Sequence, residues 1–451
     1  MSIFANDYQL TVPQLAQSCF ISPIKNNLMK RFNLLLCVCL STAMMACAQK
    51  TSTPKQPTGW TGTWATAVEK PGQGDMPQSS LSNRSLRQVV HVSIGGETMR
   101  LRLSNVQSTT PVDIKSVYIA DATYTHHINA ATATYLTFNG SRSLTLEGGE
   151  EMVSDVVTYR LRPQQRLAIT INYGARTSDE ASCHRGSRTT SYIITGESAP
   201  SSDFSKGEEA VHWYNIASIE VERRNNTAVA ILGNSITDGR GSTTDAQDRW
   251  TDFFAEAMSK NVSTSHIGVL NLGIGGNCVV RGGLSEPGKV RFDRDVLGQT
   301  GIGNIIIFEG TNDIGSFGEN NPNIADQLIA AYQEFIRKGH ERGLKVYGAT
   351  ITPVKGSFYY SEKREAIRQR VNEWIRTTAA TATDGQLHFD GCIDFDAAVR
   401  DPQDPAALRA DLQDDWLHLN PAGYKLMGEV AAEFFKQICR ISQLEPISSN
   451  F

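Results

Sequence analysis

The stretch "AVAILGNSITDGRGSTT", residues 228–244, opens with an uninterrupted apolar run, stops at Gly233 and then presents Ser235 among small polar residues. A run apolar at every position fits a strand buried on both faces, which is the environment of a parallel sheet rather than of a half-solvated antiparallel one. Three readings of the loop compete: a simple strand-ending turn, a cradle for phosphate, and the presentation of a nucleophile. The phosphate loop fails because "GNSITDGRGS" lacks the lysine and the glycine spacing that such a cradle needs. A G-x-S-x-G nucleophile elbow is also absent, since Thr237 stands where the second glycine belongs.

The following sequence repeats the pattern. Apolar runs at "IGVLNLGIGG" (267–276), "GNIIIFEGTND" (303–313), "LKVYGATITPV" (344–354) and "LHFDGCIDF" (387–395) alternate with amphipathic segments. One segment, "IADQLIAAYQEFIRKGHERG" (324–343), lines up Leu328, Tyr332, Phe335 and Ile336, and "EKREAIRQRVNEWIRT" (362–377) lines up Ile367, Val371, Trp374 and Ile375. Helical stripes between buried strands predict an α/β fold in which helices cover both faces of a parallel sheet. Ligands of such sheets bind beyond the carboxyl ends of the strands.

The first three strands end in loops of unusual composition: Gly233-Asn234-Ser235, then Gly275-Gly276-Asn277, then Gly310-Thr311-Asn312-Asp313. Near the C-terminus "DDWLHLNPAGY" places Asp415 before His418 at a D-x-x-H spacing, and Asn420-Pro421 reads as the cap and first residue of a last helix. Acyl transfer needs a nucleophile, a base, a group that orients the base, and donors aimed at the developing oxyanion. Ser235, His418 and Asp415, with the amides of Ser235 and Gly276 and the side chain of Asn312, provide one of each. Singly each motif is weak, but all occur in order, each at a predicted loop.

On these residues the C-terminal half, residues 227–440, resembles the SGNH hydrolases, also called GDSL esterases. The resemblance implies a three-layer α/β/α, flavodoxin-like hydrolase domain. It implies Ser235 as nucleophile, Asp415 and His418 as its partners, and Ser235, Gly276 and Asn312 as the oxyanion hole. One departure is visible: the first block usually reads Gly-Asp-Ser, and here Asn234 stands in place of the aspartate. That position is not the acid of the triad, so an effect on loop geometry is expected rather than loss of the catalytic group.

Upstream, the period changes. From Trp60 to about Val221 apolar residues alternate, as in "VVHVSIGGETMRLRLSN" (89–105), where Val90, Val92 and Ile94 precede Gly95-Gly96 and Met99, Leu101 and Leu103 follow. This reads as a hairpin, and further short strands at regular spacing predict an all-β sandwich before the hydrolase domain. The charged "VERRNN" (221–226) marks the boundary, giving a sandwich over 58–225, a catalytic domain over 226–443 and a tail over 444–451. Trp60 and Trp64 are expected to pack the sandwich; a sugar-stacking platform is the other reading.

At the start, "MKRFNLLLCVCLSTAMMACAQK" (29–50) has a basic region at Lys30 and Arg31, an apolar core too short to span a bilayer, and small residues. This is a secretory signal within an upstream extension and signal peptide over 1–48. "MMAC" resembles a lipobox with Cys47 as the lipidated residue, while ordinary cleavage after Ala48 is the alternative. A polar tether, "QKTSTPKQP", spans 49–57. The expected site of action is therefore outside the inner membrane, as an outer-membrane or surface lipoprotein, or alternatively in the periplasm. Contact with the membrane is expected only through that anchor.

The 451-residue chain carries a formal net charge of -4, which gives no electrostatic reason to expect nucleic acid as a partner. Of its eight cysteines, Cys183, Cys278, Cys392 and Cys439 remain in the predicted mature protein, and their spacing fits no metal motif. No metal or cofactor is expected. His126-His127 would point to opposite faces of a strand, and Asp390, Asp394 and Asp396 either line the cleft or sit in a solvated loop. The reading that results is a serine esterase acting on acetyl or other short acyl esters of small-molecule or polysaccharide carbohydrate. Hydrolysis of lipid acyl esters is the alternative, and a non-catalytic glycan-binding protein on a degenerate scaffold is the reading from another class.

Overall fold

The computed structural model describes residues 59–123, 125–223, 225–378 and 387–444. The signal segment, Cys47 and the tether at 49–57 lie outside the described residues. From residue 59 onward the chain belongs to one compact unit.

The N-terminal half is built from two large antiparallel sheets and a two-stranded ribbon of Cys183–His184 with Trp213–Tyr214. In the larger, Arg84–His91 and Val112–Asp121 flank Arg166–Tyr173, and Ser191–Thr195 extends the Arg84–His91 side. In the smaller, Gly96–Ser104 and Trp60–Ala65 flank Ile216–Glu222. Their facing side chains form one core that includes Val90, Val92, Ile94, Met99, Leu101, Leu103, Ile169, Ile171 and Ile219. Trp64 joins it and meets Trp213 edge to face at 5.1 Å, whereas the Trp60 ring is covered by the Arg100 guanidinium at 4.4 Å.

The expected hairpin across Gly95-Gly96 is not formed. Arg84–His91 and Gly96–Ser104 belong to different sheets, so the chain arches from one layer to the other. An arch and a hairpin bury the same alternating residues, and composition alone does not separate them. In the arch, Pro163 and the carbonyl of Leu161 close on Gly95 so tightly that no side chain fits there.

The C-terminal half has a five-stranded parallel sheet in the order Ile267–Gly273, Thr227–Gly233, Ile302–Phe308, Lys345–Ala349, Gly391–Ile393. Alternation along Thr227–Gly233 sends Ala228, Ala230 and Leu232 to one face and Val229 and Ile231 to the other, and each face carries its own core. On the first face lie Leu328, Phe335 and Ile336 of the helix Ile324–Glu341, with Val371 and Ile375 of Glu362–Thr378. On the second lie Trp250 and Phe254 of Trp250–Ser259, with Tyr424, Met427 and Phe435 of the terminal helix Pro421–Leu444. This is the expected three-layer architecture, in a flavodoxin-like strand order that reverses beside Thr227–Gly233 and opens a crevice at its carboxyl end.

The two halves share a close seam. Gly62 donates to the carbonyl of Thr300 at 2.9 Å, and a side chain at Gly62 would meet Leu270 Cδ1 at 2.9 Å. Asp252, largely buried at the start of its helix, takes Arg249 at 3.0 Å and His91 of the sandwich at 3.3 Å.

Several residues singled out above have structural positions. Cys183, Cys278, Cys392 and Cys439 are all free thiols. The rings of His126 and His127 stand 4.0 Å apart instead of on opposite faces, and among the described residues no cluster of metal-ligating side chains occurs. Asp396 is neither in the cleft nor in a solvated loop: it is buried and paired with Arg368 at 2.6 Å and Arg376 at 2.6 Å. Asp394 also pairs with Arg376, and Asp390 pairs with His340 and Lys345.

Candidate active site

Ser235 begins a single helical turn, Ser235–Asp238, directly after the central strand. Asn234 caps it, its Oδ1 accepting from the amide of Ile236 at 3.0 Å, and Gly239 ends it with φ 101° in the left-handed region. Gly233 is required because any side chain there would overlap Thr237. The turn therefore holds Ser235 in a fixed direction at the carboxyl edge of the sheet.

The D-x-x-H segment arrives from the opposite side of the chain and meets it. Ser235 Oγ lies 2.8 Å from His418 Nε2, and His418 Nδ1 lies 2.9 Å from Asp415 Oδ2. Asp415 also accepts from the backbone amides of His418 at 2.8 Å and Leu417 at 3.1 Å, so the same carboxylate shapes its loop and orients the ring. A carboxylate only accepts, so Nδ1 carries the proton and Nε2 presents its lone pair to the Ser235 hydroxyl. The neighbouring Asp414 makes no contact with the imidazole among the described residues and is exposed. Burial of the His418 ring pushes its pKa down and outweighs the opposing pull of Asp415; the positive charges of Arg240 and Arg188 push in the same direction as burial. Asp415 is held below its ordinary value: burial opposes its ionisation, but its hydrogen bonds from His418 and the loop amides prevail.

The donors expected for an oxyanion come from the loops that end the first three strands. The amides of Ser235 and Gly276 donate to no backbone carbonyl among the described residues. Gly276 has φ 68°, which favours glycine. Asn312 Nδ2 donates one hydrogen to the carbonyl of Asn277 at 2.8 Å, leaving its second free, while its Oδ1 accepts from the Tyr359 hydroxyl at 3.1 Å. Tyr359 thus fixes which end of the amide faces the cleft, a role no sequence motif signalled.

Buried charge stitches these loops together. Arg291, fully buried, donates to the carbonyls of Gly233 at 3.0 Å and Leu272 at 2.8 Å and to Asn277 Oδ1 at 2.9 Å, tying two strand ends to the second loop. Asp313 accepts from the amides of Val279 at 2.8 Å and Val280 at 2.9 Å, tying the third loop to the second; burial raises its pKa to about 6. Glu309 accepts from Asn234 Nδ2 at 3.2 Å, and burial raises its pKa to about 8. Asp313 was named in the sequence only as part of its loop, and Arg291 and Glu309 not at all, because each is recognisable only by what it touches.

A further contribution comes from the sandwich. His184 Nε2 lies 3.0 Å from Asp238 Oδ1, and Arg188 Nη2 lies 2.5 Å from Asp238 Oδ2. Asp238 is the last residue of the Ser235 turn and is fully buried. Burial opposes its ionisation, but Arg188 and His184 hold its pKa below the ordinary value.

Residues 231–426 match the family model described as GDSL-like Lipase/Acylhydrolase. A GDSL-like lipase from Bacteroides thetaiotaomicron is 17% identical over 47% of this chain and 89% of its own, with a TM-score of 0.35. A family two carbohydrate esterase from Cellvibrio japonicus is 11% identical over 85% of this chain and 96% of its own, with a TM-score of 0.35. An acetyl xylan esterase is 21% identical over 46% of this chain and 98% of its own, also at 0.35. No curated protein matches the sequence. Residues 231–426 therefore carry a GDSL-like lipase/acylhydrolase domain, the domain type of an ester-bond hydrolase.

Proposed function

We propose that the protein is a serine esterase that removes acetyl or other short acyl groups from carbohydrate. The observation that carries the mechanism is the unbroken relay from Ser235 Oγ through His418 to Asp415, at 2.8 Å and 2.9 Å. As Ser235 Oγ bonds to the ester carbon, its proton passes to His418 Nε2, and Asp415 stabilises the imidazolium. The carbonyl oxygen becomes an anion facing the amides of Ser235 and Gly276 and the free hydrogen of Asn312 Nδ2. Collapse breaks the bond to the alcohol oxygen, which takes the proton from Nε2. Water then repeats the sequence on the acyl-serine, releasing the acid and restoring Ser235.

For the alcohol half, the support is an aromatic rim. Phe358 is 77% exposed and lies tilted against Tyr359, the residue that holds Asn312, with ring centres 4.4 Å apart, and the part-exposed Trp416 stands between Asp415 and His418 in sequence. Exposed aromatic faces beside a polar reaction centre suit the apolar face of a sugar ring. A second reading, hydrolysis of lipid acyl esters, is favoured by Leu284, 53% exposed against Gly276, and Val290, 61% exposed. A p-nitrophenyl acyl series decides between them: turnover falling steeply beyond the shortest chains supports the first reading, and turnover rising with chain length supports the second. We also propose, from the lipobox-like "MMAC", that Cys47 carries lipid and anchors an exported protein. A mature mass showing a free, unmodified terminus at Gln49 would sink that proposal.

A further inference from the structure

The loop that follows Cys183–His184 in the sandwich is built into the surface of the catalytic domain. The amide of Asp245 donates to the carbonyl of Arg188 at 2.9 Å, and Asp245 in turn accepts from the amide of Thr190 at 2.7 Å and its hydroxyl at 2.8 Å. Gln247 donates to Thr189 Oγ1 at 2.9 Å, and Arg249 donates to the carbonyl of Ser187. Arg188 itself has φ 49°, a left-handed backbone that a non-glycine residue adopts only when its surroundings enforce it. These restraints hold its guanidinium beside the Ser235 turn through one nitrogen, bonded to the buried carboxylate of Asp238. Among the described residues its Nε is buried without a hydrogen-bond partner, and no partner meets its Nη1.

Arg240 approaches from the other direction. Its amide donates to the carbonyl of Ser235 at 2.9 Å and its carbonyl accepts from the Tyr424 hydroxyl, so its backbone is fixed immediately after the turn. Its side chain is exposed, and among the described residues no hydrogen bond or ion pair reaches its guanidinium. Asp414 lies alongside Gly241 but forms no ion pair with Arg240. Both guanidinium charges act on His418, where they oppose protonation of the catalytic base. In a chain of net charge -4, two cations stand beside one reaction centre, Arg240 with its whole fork unused and Arg188 with Nη1 unused.

From this arrangement we propose that Arg188 and Arg240 form a carboxylate-binding subsite, which makes the preferred substrates acyl esters of acidic sugars such as uronic acids. The proposal rests on the carbohydrate-esterase reading above and narrows it. Guanidinium groups suit a sugar carboxylate because their planar forks bond it through two parallel N–H donors. An anionic substrate would also offset the two positive charges at His418 and restore its basicity in the bound state. The sandwich then supplies a specificity residue to the hydrolase domain.

The test compares kcat/KM on an acetylated methyl glucuronoside with that on the matched acetylated methyl glucoside, using the full chain. Wild type is expected to favour the acidic substrate, more so at low salt. In Arg240→Ala the preference is expected to fall about ten- to hundredfold, as for loss of a charge-assisted pair, with partial recovery in Arg240→Lys. Arg188→Lys keeps a positive charge toward Asp238 while losing the fork, and is expected to raise KM for the acidic ester more than for the neutral one. Equal use of the two sugars by wild type, or a preference that Arg240→Ala leaves in place, would overturn the subsite while the carbohydrate reading stands. Turnover of p-nitrophenyl acetate with neither sugar ester accepted would overturn both.

Discussion

Replacing Gly186 by alanine isolates the seam between the sandwich and the Ser235 turn. A Cβ at this position would fall far inside van der Waals contact with Oδ1, Cγ and Oδ2 of Asp238. The carboxylate has nowhere to go: it is fully buried, lies 3.0 Å from His184 and 2.5 Å from Arg188, and its own carbonyl accepts from Arg249 Nε at 3.2 Å. The loop that carries His184 and Arg188 must therefore lift. Weakening a charge-assisted bond to a buried carboxylate costs about 1.5–3 kcal/mol, and forcing atoms into a packed site costs about 1–3 kcal/mol, so a loss of about 2.5–6 kcal/mol is expected. Because Asp238 shares one helical turn with Ser235, a shift of about 1 Å also lowers kcat on a simple ester by about a hundredfold. Denaturant unfolding gives the first quantity and p-nitrophenyl acetate kinetics the second. In Gly186→Ala combined with Asp238→Ala the clash is absent, so the double variant should be little worse than Asp238→Ala alone. Additive losses, or a Gly186→Ala protein within about 1 kcal/mol of wild type, would refute the claim that this contact positions the nucleophile.

Further outcomes follow from the same geometry. Ser235→Ala and His418→Ala should each lower kcat by many thousandfold while the fold survives; a residue of activity above about a tenth would remove that residue from the relay. Asn312→Ala should cost about 10² to 10³ in kcat, as for one oxyanion donor, and Tyr359→Phe less, since it frees the amide to turn without deleting it; equal losses would contradict that ranking. The base must be neutral to act, and the pKa of His418 is depressed by burial, so kcat/KM should rise with pH through an ionisation below the usual histidine value of about 6.5 and be flat above it. Asp415→Asn should move that ionisation further down and Asp414→Asn should not; a wild-type midpoint above pH 7 would reverse the ranking of burial over Asp415. Asp252, burial notwithstanding, is held at about 2 by Arg249 and His91. A depressed carboxyl stabilises the fold above its unfolded pKa and loses that effect as pH falls toward the folded one, so about 2 kcal/mol should disappear between about pH 4 and pH 2 in wild type, and not in Asp252→Asn.

The parallel sheet was readable because burial on both faces leaves a continuous apolar run, and the site was readable because each of its motifs ends such a run. Ser235, Gly276 and Asn312 need no long-range information to be placed at one edge: parallel strands all finish there. Other features depend on partners distant in sequence. The arch at Gly95 and a hairpin bury the same side chains, so Val90 to Leu103 do not distinguish them; the strands that each segment pairs with do. His184 and Arg188 carry no motif, yet they reach Asp238 from the other half of the chain. Tyr359 is one aromatic in "KGSFYYS" until its hydroxyl is seen on Asn312.

Asn234 shows how a departure from a familiar block is explained by its surroundings. The cap of the Ser235 turn needs only an acceptor, and Asn234 Oδ1 supplies it to Ile236. An aspartate would cap equally well. The other half of the amide makes the difference: Nδ2 donates to Glu309, a fully buried carboxyl that already has Asp313 as an acidic neighbour and that burial pushes to a pKa of about 8. A carboxylate at position 234 would add another anion to this low-dielectric pocket and remove its donor, raising the cost of ionising Glu309 further. Asparagine keeps the cap and gives the Oε2 of the glutamate a donor. The substitution in the first block is thus coupled to Glu309, the residue that precedes the third block, and Asn234→Asp should regain compatibility with the pocket when Glu309 is changed to Gln.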